Sequence, residues 1–415
     1  MKPIFTSSVG IYSFEWSDKK IKVTVSRLIE TSKQSLSAEI VIQSIEPERH
    51  LHQARLTLTD TRQRKSLENT LNGRTEGVEK YKDIDWYEII EYVCVKTLEK
   101  YREGTPPIQL GDLPEATEIE YQLCPVLIKG EPTLIYGDGG IGKTNMALFW
   151  ALLVQHNHPY FNLEPQQTNC LYLDWEASER VLKRRVDAMK KGLGITDKKT
   201  ILYRYCTQPL PSDALEIQSI ILKNDIGLVV IDPVALACGA DPETAETAIR
   251  FFNALRSLNI TTLSVHHIAK ISDGKKPFGS VFWHNSARSS FEIRNSQRPE
   301  DNEIHLGIYH RKMNDAPLLK PMGYTLQFFN EESRLNQITF ATADLSEIPE
   351  LEKGLPLRER LTNALGAGSK TPEELAEELE DNQSSIARVL YRYKDKNFVK
   401  LGKEWGLKAY DSDTL

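Results

Sequence analysis

The segment Gly137–Thr144, GDGGIGKT, constrains this chain more than any other stretch. It satisfies G-x-x-x-x-G-K-[ST], with the apolar run TLIY before it and the helix-like NMALFWALLVQ after it. A strand that turns on glycines into a helix N-terminus is a phosphate cradle. Gly137, Gly139, Gly140 and Gly142 let backbone N–H groups turn inward, and the helix adds its positive end. In such a loop Lys143 reaches the β- and γ-phosphates, Thr144 ligates Mg2+, and Asn145 follows in the binding set. ATP and Mg2+ are the expected ligands.

A second segment agrees. Ile226–Asp232, IGLVVID, is an apolar strand ending in one acid, the Walker B pattern. Asp232 is expected to hold the Mg2+ shell at the crevice end of a parallel strand. Pro233 follows it, so a hydrolytic base must come from elsewhere. Cys170–Glu176, CLYLDWE, is another strand ending in acids. Glu176 is placed to orient and polarise a water. Asp174 is its rival, two positions earlier on the same side of the strand. Either acid could instead cap the next helix.

From about 116 to 345, strand-like runs (TLIY, CLYLDW, ILYRYC, LVVID, TTLSVHH) alternate with helical patterns such as Thr144–Gln155 and Ala245–Leu258. This alternation implies an α/β unit with a parallel central sheet. EIHLGIYHR and GYTLQFF are expected as added strands. Residues 1–115 read as a small α+β domain. Its strands are Gly10–Trp16, Ile21–Ile29, Leu36–Ser44 and Ala54–Thr59, and its helices are Thr61–Leu71 and Ile84–Tyr101, the second capped by Asp85. Gly104–Pro114, rich in Gly and Pro, reads as a linker.

Residues 350–415 read as a third module. Thr371 and Glu374 form a capping box around Pro372, a second helix is expected over 383–394, and two short strands flank Gly402. Helix, turn, helix and ribbon together resemble a winged helix-turn-helix. Residues 383–408 carry Arg388, Arg392, Lys394, Lys396, Lys400, Lys403 and Lys408 against Asp395 and Glu404. Gln383, Ser384 and Arg388 are the base-facing candidates, and Arg392 is a further contact. The preceding helix is acidic (Glu373, Glu374, Glu377, Glu378, Glu380, Asp381). Duplex DNA and a protein partner therefore both stay open for this module.

The series LIYGDGGIGKT, LYLDWEAS, VVIDPVA, SVHHIAK, GSVFWHNSARSSFEI and HRKMND resembles the RecA-like ATPases related to the RepA-type hexameric replicative helicases of phages and plasmids. The resemblance spans about residues 120–330. It implies a RecA-like core, a ring, usually a hexamer, and an active site between subunits. It matches Glu176 to the catalytic glutamate and His267 to the sensor of the γ-phosphate. It matches Arg288 to an arginine finger offered to the neighbouring subunit, and Lys312 to a second cation in trans. From the residues alone, a strand-end histidine such as His266 or His267 more often serves structure, and Arg294 competes with Arg288. In RecA-like rings the loop after TTLSVHH faces the channel. Lys270, Lys275 and Lys276 there would track single-stranded DNA, with Phe278 placed to stack on a base. The same loop also reads as a merely solvated one.

The resemblance leads to two expectations. One is a DNA-stimulated motor, a ring helicase of a mobile element or phage. The other is a DNA-bound regulator or loader whose assembly is set by ATP. Composition removes other classes. A net charge of −6 and a pI near 5.9 exclude a uniformly basic nucleic-acid-coating protein. No apolar run reaches about 18 residues, and the N-terminus has no long apolar stretch of the signal-peptide kind. Five dispersed cysteines without a CxxC read as reduced, buried thiols of a cytoplasmic protein.

Overall fold

The structure, a computed structural model, describes residues 2–8, 10–30, 35–104, 107–113, 118–267, 280–298, 300–332 and 334–408. The chain divides into two compact units, Met1–Thr117 with Leu215–Ser219, and Glu118–Ala214 with Ile220–Leu415.

In the first unit, β1 (Ile4–Ser8), β2 (Ile11–Trp16), β3 (Ile21–Glu30), β4 (Leu36–Ser44) and β5 (Arg49–Thr57) form an antiparallel meander in chain order. Burial alternates along β4, as period-two patterning requires. The buried face, with Phe14, Val23, Val25 and Ile40, packs on Leu67 and Leu71 of α1 (Thr61–Thr75) and on Trp86, Ile89 and Val93 of α2 (Trp86–Glu103). Asp60 caps α1, and Asp85 caps α2 through the Glu88 N–H at 2.9 Å.

The second unit opens with the short strands β6 (Tyr121–Cys124) and β7 (Leu127–Ile128). Its main sheet begins with β8 (Pro132–Gly137), which leads into α3 (Lys143–His156). The two-residue β9 (Glu164–Pro165) joins β6 and β7 in a small sheet. Next come β10 (Asn169–Asp174), α4 (Glu179–Gly192), β11 (Leu202–Tyr205), α5 (Leu210–Lys223) and β12 (Ile226–Asp232). Then follow α6 (Val234–Ala237), α7 (Ala245–Ser257), β13 (Thr261–His267), α8 (Phe282–Ser286) and β14 (Ser289–Ser296). The antiparallel strands β15 (Glu303–Met313), β16 (Met322–Glu331) and β17 (Arg334–Thr342) complete the sheet. Its order is β11-β10-β12-β13-β8-β14-β15-β16-β17, parallel through β14. Strands covered on both faces read as continuous apolar runs, which is why IGLVVID looks as it does. α3 is apolar nearly all round because it is buried nearly all round.

The C-terminal residues belong to this second unit. α9 (Pro349–Glu352) is followed by α10 (Leu357–Gly366), α11 (Pro372–Glu378), α12 (Gln383–Arg392) and the hairpin of β18 (Phe398–Leu401) and β19 (Glu404–Leu407). They share a small core of Leu361, Leu365, Leu375, Ile386, Leu390, Phe398 and Trp405. The expected capping box is present, with Thr371 and Glu374 bonding each other's backbone N–H.

Several elements were not anticipated. α10 carries Leu357, Leu361, Ala364 and Leu365 at helical spacing, but it starts at Pro356 without a side-chain cap. β17 alternates weakly, because Arg334, Asn336 and Gln337 interrupt its apolar positions. β5 starts at Arg49, ahead of the expected strand start at Ala54. Cys124 is exposed, contrary to the expectation of five buried thiols, because it ends the short strand β6; the other four are buried.

His310 sits inside the sheet. Its ring stacks on Phe291 at 4.3 Å, and its Nδ1 accepts the Leu319 N–H at 3.0 Å. The ring proton therefore lies on Nε2, which is 3.0 Å from Ser289 Oγ. Burial pushes its pKa down to about 4. The unfolded chain thus takes the proton first, and stability drops as pH falls from about 6.5 to about 4. The expected loss is on the order of 2 kcal/mol. Between about pH 7 and pH 5, the thermal midpoint of His310→Gln should fall less than the parent's. Equal falls would reject this role for His310.

Candidate active site

The P-loop joins β8 to α3. Gly140 and Gly142 have φ of 77° and 98°, left-handed values that favour glycine. Gly137 is required for another reason: a Cβ there would lie 2.4 Å from the Ile293 carbonyl oxygen. Lys143 is buried at the helix start, and its Nζ donates to Gly137 O at 2.9 Å and to Asp138 O. Burial lowers its pKa to about 8, although Asp232, Asp138 and Glu176 pull it back up. A buried ammonium held mainly by neutral carbonyls is unsaturated electrostatically, and an anion beside it would relieve that cost.

β13 lies between the P-loop strand β8 and the acid strand β12. Its end therefore opens directly into the crevice. His267, paired with Gly137 across the ladder, places Nδ1 3.4 Å from Lys143 Nζ. Burial and the Lys143 charge lower its pKa, so the ring is neutral near neutrality. His266 faces the other way, fully buried with its ring 4.9 Å from that of Trp283. Alternation along the strand separates the two histidines.

β10 and β12 run in register, with Asp174 beside Asp232. Asp232 Oδ2 accepts from Thr144 Oγ1 at 2.7 Å and from the Tyr172 hydroxyl at 2.6 Å. Burial raises the Asp232 pKa, and these two hydrogen bonds oppose the rise. Asp174 has a different task. Its Oδ1 accepts the N–H groups of Glu176 and Ala177, both at 2.9 Å, and its Oδ2 accepts from the Tyr203 hydroxyl at 3.3 Å. It shapes the turn that presents Glu176, whose side chain is exposed to the cavity. The rivalry between the two acids thus becomes a division of labour.

These groups line one cavity of about 410 Å³. It brings together Gly139, Gly140, Gly142, Lys143, Thr144, Asn145, Glu176, Asp232 and His267. Gly137 stands behind it and contributes its carbonyl to Lys143. Tyr172 and Arg185, which sequence reasoning missed, also line it. Tyr172 looked like an ordinary strand aromatic. Arg185 lies on α4, one residue before the buried Val186, a pattern legible only once that helix is placed.

Arg288 and Lys312 lie elsewhere. The Arg288 N–H donates to Pro132 O at 3.0 Å, at the start of β8, so the strand's length separates it from its own P-loop. That is roughly 17–20 Å at about 3.3 Å per residue. Its guanidinium pairs with Glu131 at 3.3 Å on the surface. Lys312 donates to the carbonyls of His284, Asn285 and Ala287, which anchors the segment just before Arg288. Arg294 is held in a buried carboxylate network, 2.6 Å from Glu292, with Arg311 at 2.7 Å from the same acid. Lys270, Lys275, Lys276 and Phe278 lie outside the described residues. Gln383, Arg388 and Arg392 are exposed on α12 and do not line the cavity.

Residues 101–273 match a family model described as an AAA domain. The stretch carries a P-loop ATPase domain. The P-loop, the Glu176 turn, Asp232 and His267 all fall within the match, whereas β14 and everything after it lie beyond. Among solved structures, a KaiC-like protein from the hyperthermophilic archaeon Pyrococcus horikoshii is similar at 14% identity and a TM-score of 0.37. The similarity covers 52% of this chain and 91% of that one. No curated protein matches the chain. Among the described residues, no helix is long and apolar enough to cross a membrane.

Proposed function

We propose that this protein is a RecA-like motor that hydrolyses ATP and acts on single-stranded DNA as a ring of the RepA helicase type. The observation that carries the reading is the joint placement of Lys143, Thr144, Asp232, Glu176 and His267 in one cavity. Mg2+ fits there. Thr144 and Asp232 are hard oxygen ligands side by side, and Asn145 Oδ1 is a buried acceptor with no partner among the described residues. When bound, Mg2+ would neutralise phosphate charge.

The chain's own residues do the rest. Lys143 and the loop N–H groups hold the phosphates. Glu176, held out by the Asp174 turn, orients a water and takes its proton. Neutral His267 beside Lys143 is placed to donate to the terminal phosphate and report its loss. Arg288 lies too far from its own P-loop to serve it; in this reading it leaves Glu131 and serves the nucleotide of a neighbouring subunit. Arg288→Ala should keep nucleotide binding and lose roughly 10³-fold or more in turnover. Normal hydrolysis by the assembled variant would put the trans cation elsewhere.

The DNA part of the reading rests on the winged-helix-like C-terminal module. Arg388, Arg392, Lys394, Lys396 and Lys403 are exposed there. Three of the six acids pair with cations within the fold: Glu378 with Lys370, Glu380 with Lys353, and Asp381 with Arg360. Repulsion of DNA is therefore smaller than the raw charge pattern suggests.

The test is steady-state ATP hydrolysis with and without single-stranded DNA at two salt concentrations. Stimulation that fades with salt supports the motor. Basal turnover without stimulation would favour the regulator or loader instead.

A further inference from the structure

We propose that Tyr172 is a positioning residue for the metal-binding face of Asp232. The inference rests on the ATP–Mg2+ reading of the cavity. Tyr172 and Asp174 are two apart on β10 and so share a face. Because Asp174 pairs with Asp232, Tyr172 sits opposite Val230, one pleat back from the acid. That is roughly 6.6 Å along the strand, a gap that a serine or threonine side chain does not span.

The ring is 1% exposed and belongs to the apolar core packed around α3. Phenylalanine would fill the same space without the cost of burying a hydroxyl. The hydroxyl has a different use. It donates at 2.6 Å to Asp232 Oδ2, the same oxygen that accepts from Thr144 at 2.7 Å. An O–H···O⁻ bond of that length is of the strong, charge-assisted kind. Two hydroxyls on one oxygen fix the carboxylate's rotation and leave Oδ1 for the metal shell. With Thr144 alone, the acid keeps one tether, and that tether is itself a metal ligand. Tyr172 is the tether that does not change partners when the metal arrives.

The test is Tyr172→Phe, read by Mg2+ titration of the binding of a fluorescent ATP analogue. The Mg2+ concentration at half-saturation should rise about 10- to 100-fold, the usual cost of losing an outer-shell partner. Affinity in EDTA and the thermal midpoint should stay near the parent's. In an Asp232→Asn background, the same change should add nothing, because the hydroxyl acts through that carboxylate. An unchanged half-saturation would overturn the proposal and leave Tyr172 a core residue with a satisfied hydroxyl. So would an equal effect in the Asp232→Asn background. Should Tyr172→Phe not fold, Tyr172→Met fills the gap flexibly and is read the same way. If the parent's binding ignores Mg2+ altogether, the reading of the cavity itself fails, and this proposal with it.

Discussion

Lys143→Ala should reduce ATP turnover by at least about 10³-fold, equivalent to about 4 kcal/mol of transition-state stabilisation. The lysine is buried at the start of α3, and among the described residues its ammonium has only loop carbonyls and neutral His267 within hydrogen-bonding reach. Its depressed pKa shows that the fold bears a cost to keep a cation there. A residue kept at such a cost serves the ligand and not the core. The thermal midpoint of the variant should therefore stay within a few degrees of the parent's while nucleotide binding collapses. Binding by titration calorimetry and turnover by phosphate release measure the two halves. Normal turnover would remove the P-loop from the chemistry.

Glu176→Gln should give the second-largest effect and a different pattern. The glutamine keeps the size of the side chain and the Asp174-held turn, since that turn bonds only backbone N–H groups. Binding should persist, while turnover falls by about 10²- to 10⁴-fold, the range for loss of a general base. Asp174→Ala should instead unseat the turn and weaken both turnover and local order, a mixed result that Glu176→Gln does not show. Undiminished turnover by Glu176→Gln would move the base to another acid of the cavity.

How much of this was legible depends on the range of the interactions involved. GDGGIGKT between a strand and a helix is a local instruction: left-handed glycines and a helix N-terminus follow from neighbouring residues. The capping box at Thr371 is local in the same sense. The alternation of strand and helix patterns from 116 to 345 was enough for a parallel sheet. Strand order was a different matter. That β13 lies between β8 and β12 is a pairing of segments distant in the chain, and it is what brings the end of β13, and with it His267, beside Lys143.

By itself, the sequence determined the P-loop, the acid at Asp232, the parallel core and the helix caps, because each is encoded within a few residues of backbone preference and apolar periodicity. Only the tertiary structure separated Asp174 from Glu176, held Arg294 on the buried Glu292 carboxylate, put Arg288 at the far end of the strands, and brought the Tyr172 hydroxyl to Asp232. The first two are contacts between residues two or three apart, which the sequence permits but does not single out. The last two depend on pairing between strands far apart in the chain, and a shift of one residue would turn the Tyr172 side chain to the opposite face.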